Sequence, residues 1–170
     1  MIITIFGTGS PNEEGYREAY ELGKMIARAG HMLKNGGYGG TMEAAAKGCL
    51  EDGGKTIGIC IKGHKIADAG KPNAFLSEII IKENLTERLR ELLNTDMIII
   101  LKGKIGTLEE FFHAWAENLV KSSESANPIP IFLIGEKNKM LLDFLIRNDF
   151  INSEQLKHIV HLNSIDDLKF

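Results

Sequence analysis

The chain has 170 residues, 44% of them hydrophobic and 25% charged, a mix that fits a globular fold large enough to enclose a core. Its formal net charge of -3 argues against a broad surface for phosphate backbones, so no nucleic acid partner is expected. No stretch approaches the ~18 consecutive apolar residues of a membrane span, so no membrane partner is expected either.

In chain order, short apolar runs predict strands at residues 2–6, 31–34, 56–61, 78–81, 97–101, 129–134 and 158–161. Most are rich in isoleucine without strict alternation, the pattern of strands buried on both faces of a parallel sheet. Helical spacing predicts helices over 14–29, 41–52, 85–94, 108–121 and 138–148, with Gly30 and the pair Gly53-Gly54 closing the first two. Strand alternating with helix predicts an α/β fold: a doubly wound, mostly parallel sheet of about seven strands with helices on both faces. Residues 62–77 fit neither period and start where a strand ends, a place where loops line ligand sites. Residues 122–130 form a polar, proline-containing connection, and a short amphipathic tail follows Leu162. No composition shift marks a boundary, so residues 1–170 are expected to form one domain.

The opening MIITIFGTGS lacks a basic stretch and a long apolar segment, so no secretory leader is expected and the expected location is cytoplasmic. Cys49 and Cys60 read as small buried hydrophobes of a reducing compartment. No Cys/His spacing resembles a zinc site, and no metal is expected.

Three glycine corners follow predicted strands. The first, GTGSP, offers Gly7, Gly9 and Ser10. The second and third echo one another: GGYGGTMEAAAKG at 36–48 and GKIGTLEEFF at 103–112 both run through glycines into Gly-Thr-apolar-Glu and a helix. A helix start offers free N–H groups and the positive end of the dipole, and glycines let the backbone approach a ligand. Phosphate or nucleotide binding is therefore expected at Gly7, Gly9, Ser10, Gly37, Gly40, Thr41, Gly103, Gly106 and Thr107. None of the corners is the six-position dinucleotide fingerprint or a P-loop.

Thr107 and Glu110 have the spacing of a capping box, whereas Ala44 breaks that pattern after Thr41. Glu110 at a helix start is also placed to face a developing cation or act as a base toward water. On composition alone Arg88 and Arg90 read as solvated helix charges beside Glu87 and Glu91. His113 forms a Glu-x-x-His pair with Glu110 but has no matching second pair.

The third corner resembles the signature Pro-Gly-Gly-x-Gly-Thr-x-x-Glu of the "lonely guy" family, phosphoribohydrolases long labelled lysine decarboxylases. Gly103, Gly106, Thr107 and Glu110 match it, while Lys102 and Lys104 stand in place of the proline and second glycine. The second corner is similar to Gly-Gly-Gly-x-x-Gly-Leu-Met-Gly through Gly36, Gly37, Gly40 and Met42. Of the family's Met-His-x-Arg-Lys only Arg88 is kept. The resemblance covers roughly the first 135 residues and implies a Rossmann-like fold. It also implies a homodimer with the active site near its interface, and Arg88 and Glu110 as the catalytic pair. The activity it implies is cleavage of a cytokinin-riboside-monophosphate-like or AMP-like nucleotide into base and ribose 5-phosphate, with no cofactor. Lys104 puts a side chain where the family's backbone approaches the ligand, which implies either obstruction or a cation beside the phosphate. The form GGTMEAAAKG also resembles the molybdenum-cofactor carrier proteins, which implies the alternative of a non-catalytic carrier for a nucleotide or phosphorylated pterin. No lysine context points to a pyridoxal phosphate decarboxylase.

Overall fold

A computed structural model describes residues 1–63, 71–123 and 127–170. The elements in order are β1 (Ile2–Phe6), α1 (Glu13–Arg28), β2 (Met32–Asn35), α2 (Thr41–Glu51), β3 (Lys55–Ile61), β4 (Glu78–Lys82) and α3 (Leu85–Leu92). After them come β5 (Met97–Ile100), α4 (Ile105–Ser123), β6 (Ile131–Ile134), α5 (Glu136–Arg147) and β7 (Ile159–Leu162), with two short 3-10 turns, Ser153–Leu156 and Ile165–Asp167.

The seven strands form one sheet in the order β4-β3-β2-β1-β5-β6-β7, and every pair is parallel. The order reverses between β1 and β5. Connections leave the two strands in opposite directions there, so their carboxyl ends open a crevice. The isoleucine-rich runs account for the central strands: Ile3, Ile5, Ile98, Ile99 and Ile100 are fully buried between two layers. α1 and α2 pack on one face, with Leu22, Ile26 and Ala45 against Ile3, Ile5 and Leu33. The helices α3, α4 and α5 cover the other, with Leu92, Phe111, Trp115 and Leu142 against Ile59, Ile98 and Leu133.

Burial on both faces fails at the edge. Ile79 and Ile81 of β4 are 47% and 62% exposed, and among the described residues no strand lies beyond β4. Charged Glu78 and Lys82 at its two ends are the kind of residue that discourages further pairing at an edge. Strand β6 starts two residues later than expected, since Pro130 has no N–H to give the ladder and supplies only its carbonyl, to Ile98 N at 3.0 Å. The loop expected at 62–77 lies partly outside the described residues, which resume at Lys71.

The α1–α2 contact is backbone to backbone. A Cβ at Gly23 would run into the Ala45 carbonyl, and one at Gly48 into the Tyr20 carbonyl. That reciprocal approach fixes α2 against α1, and with it the glycine corner at the start of α2. Gly23→Ala is expected to lower the urea midpoint. The clash with backbone costs about 3 kcal/mol and outweighs a helix-propensity gain of about 1 kcal/mol. An unchanged or raised midpoint would contradict the close packing.

Candidate functional site

At the crevice, Phe6 and Leu101 still pair across β1 and β5, through a 2.9 Å bond from Leu101 N to Phe6 O. Beyond them the chains diverge into the first and third glycine corners. A cleft of about 270 Å³ lies there, lined by Gly7, Gly9, Ser10, Lys104, Gly106 and Thr107 together with Gly36, Met42, Arg88 and Glu110. A neighbouring lobe of about 270 Å³ shares Thr8, Ser10 and Lys104 with it and includes Thr41 and Gly103.

Arg88 reaches the cleft from α3, whose Asn84 cap accepts from Glu87 N and whose Leu89 and Leu92 are buried. Arg90 is exposed, whereas the Arg88 side chain is only 13% exposed. Its Nε donates to Ile59 O at 2.8 Å, Nη2 to Gly36 O at 3.4 Å, and Nη1 to Glu110 Oε1 at 3.4 Å. The guanidinium carbon stands 5.7 Å from the Tyr38 ring centroid, a cation–π contact. The solvated-charge reading of Arg88 is thus overturned: its stem is anchored at Nε. Its two terminal nitrogens are held at distances longer than a charge-assisted hydrogen bond, so an incoming oxygen can compete for them.

Glu110 does not close a capping box. α4 starts at Ile105, so Thr107 is already its third residue, and the Thr107 hydroxyl donates to Gly7 O at 2.7 Å. The Glu110 carboxyl turns to Arg88 instead. Burial pushes its pKa from 4.5 to about 7; the nearby Glu109 adds to the rise and Arg88 offsets it only in part. A carboxyl that changes charge near neutrality inside a cleft suits proton transfer.

The two threonines of the echoed corners serve the same local end. Thr41 donates both N–H and hydroxyl to Thr8 O, each at 3.0 Å, and like Thr107 it is buried. Together they staple the first corner onto the starts of α2 and α4. Gly7 and Gly103 have to be glycine for this, since a Cβ on either would strike Thr41 or Thr107. With both hydroxyls and the Thr41 N–H engaged, the donors left without a partner at the helix starts are backbone amides. The first intrahelical bonds are Leu108 N to Lys104 O and Ala44 N to Gly40 O, which leaves the amides of Ile105, Gly106 and Thr107 ahead of them on α4. Gly106 and Gly9 face open space, and Lys104 is exposed.

Gly37 and Gly40 line neither lobe. Both adopt positive φ, 78° and 72°, and shape the second corner from behind. Asn35 escaped the sequence reading; it is fully buried, its Oδ1 accepting from Gly37 N and its Nδ2 donating to Met42 O, both at 2.8 Å. An asparagine just before a glycine pair is the signal for such a turn. Tyr38 was missed as well; its hydroxyl accepts from Ile61 N at 2.9 Å while its ring faces Arg88.

Cys49 and Cys60 are free and buried, and burial raises both thiols, Cys49 to about 11, which leaves them protonated and unreactive. His113 sits 3.6 Å from Glu117, and among the described residues no three His, Cys, Asp or Glu side chains gather as a metal site. His64 lies outside the described residues. No described helix is long and apolar enough to cross a membrane.

An uncharacterized protein of Archaeoglobus fulgidus is 35% identical over 119 residues, covering 69% of this chain and 75% of that protein. The cytokinin riboside 5′-monophosphate phosphoribohydrolase of Mycobacterium tuberculosis is 24% identical over 173 aligned positions, covering 97% of this chain and 89% of that one. The molybdenum cofactor binding protein of Rippkaea orientalis superimposes with a TM-score of 0.74 at 22% identity, over 97% of this chain and 90% of that one. The last of these shares the Rossmann-like α/β fold. The model of the SLOG cluster4 family matches residues 1–125, the span that holds both lobes, Arg88 and Glu110, and the chain belongs to that family.

Proposed function

We propose that this protein hydrolyses the N-glycosidic bond of a nucleoside 5′-monophosphate, releasing the free base and ribose 5-phosphate. The observation that carries the reading is the Glu110 carboxyl, buried in the crevice, 3.4 Å from Arg88, with a pKa of about 7. The named activity of the Mycobacterium tuberculosis relative supports it.

The 5′-phosphate rests on the amides that open α4, with the Lys104 ammonium beside them. Arg88, already oriented by Ile59 O, turns its terminal nitrogens to ligand oxygens. As the bond from C1′ to the base nitrogen breaks, positive charge grows on the ribose ring, and the ionised Glu110 stabilises it. Water then adds to C1′ and gives a proton to Glu110, which returns it as the departing base takes one up. One water is consumed, and no electrons change hands.

A second reading, retention of a phosphorylated pterin or nucleotide without turnover, draws on one feature. Lys104 borders both lobes at the position where the resembled family has glycine, and it adds binding charge where the backbone would otherwise approach the ligand. The molybdenum cofactor bound by the Rippkaea orientalis protein is consistent with that reading.

A panel of AMP, GMP, IMP and CMP, followed by chromatography for free base, separates the two. Base release from at least one nucleotide is expected. Tight binding with no release from any would favour the carrier. Glu110→Gln is expected to lower kcat by about 10²-fold or more, as loss of a proton-transfer group does, and unchanged kcat would remove Glu110 from the mechanism. Because the ionised carboxyl is the working form, kcat/KM should be low where Glu110 is protonated and rise with pH through about 7 to a plateau. A profile that falls across that range would contradict the role.

A further inference from the structure

The lobe beside the Arg88–Glu110 cleft has a different chemistry. Pro11 and Leu101 give it apolar walls, and Glu18 of α1, Lys102 and, where it meets the first cleft, Lys104 supply its charge. It meets the first cleft at Thr8 and Lys104, so one ligand can occupy both. The more polar cleft suits a sugar phosphate, and the apolar-walled lobe of about 270 Å³ suits a flat bicyclic ring. Among the described residues the Glu18 carboxylate makes no hydrogen bond or ion pair. Lys102 likewise has no such partner, although its charge is felt at Glu18.

Resting on the nucleotide reading above, we infer that this lobe selects a 2-amino-4-oxo heterocycle, the edge shared by guanine and pterin, over adenine, with Glu18 and Lys102 as the specificity residues. That edge presents an exocyclic amine and a ring N–H side by side, then a carbonyl. A carboxylate accepts from both donors at once, and the lysine ammonium donates to the carbonyl. Adenine offers one amine beside a bare ring nitrogen, whose lone pair faces the second carboxylate oxygen and is repelled. Burial and the neighbouring Glu14 raise the Glu18 pKa, the condition of a carboxylate short of donors, and a ligand with two N–H groups supplies them.

Calorimetry with GMP, AMP and ribose 5-phosphate on the intact chain tests this. The protein is expected to bind GMP ~10-fold more tightly than AMP, in line with a bidentate contact. Glu18→Gln should abolish that preference and leave ribose 5-phosphate affinity within ~2-fold, because the sugar-phosphate cleft is untouched. Lys102→Ala serves as a second variant and should reduce the preference ~3-fold through loss of the carbonyl contact alone. Equal affinity for GMP and AMP, or a preference that survives Glu18→Gln, would overturn the assignment. If ribose 5-phosphate binds in that case, the nucleotide reading stands and only the specificity claim falls; if no probe binds, both fall.

Discussion

The Arg88 guanidinium joins four parts of the chain at one point. It sits on α3, is fixed to the end of β3 through Ile59 O, touches the β2 corner at Gly36 O, and faces Glu110 on α4. A buried cation is tolerated only when its donors are satisfied, so the corner, the strand and the second helix are constrained to converge on it. Glu110 in turn is buried because Arg88 is beside it. The pairing is asymmetric: one short bond orients the guanidinium, and two longer ones can be given up to a ligand. Preorganisation of that kind costs the protein nothing at the moment of binding.

The sheet supplies the place. Its strand order turns between β1 and β5, and the two threonine staples, Thr41 to Thr8 and Thr107 to Gly7, hold the first corner against both helix starts. Thr41 commits both its N–H and its hydroxyl to the first corner, whereas Thr107 commits only its hydroxyl and leaves the amides that open α4 without an intrahelical partner.

Much of this was legible in the sequence. Short apolar runs, most of them rich in isoleucine, located the seven described strands, because central strands of a parallel sheet are buried on both faces and carry no polar alternation. The same rule misjudged Ile79 and Ile81, since nothing in a sequence marks which strand will be the edge. The start of α4 was placed three residues late because Gly106-Thr107 looks like a turn and cap, whereas Thr107 is pulled into the helix by its bond to Gly7, a hundred residues away. Composition alone set Arg88 in solvent; only the resemblance singled it out. Its burial depends on Ile59 and Gly36, neither of them near it in sequence. Glu18 carried no sequence signal, because its neighbour across the lobe, Lys102, comes from another strand end.

Cleavage at the Arg88–Glu110 pair is the central proposal. A single-turnover incubation with protein in excess over each of AMP, GMP, IMP and CMP, read by mass spectrometry, tests it most directly. Conversion of at least one of them to free base and ribose 5-phosphate is expected from the wild-type chain, with that nucleotide left intact by Glu110→Gln. Every nucleotide left intact by the wild-type chain, or equal conversion by both, would contradict it.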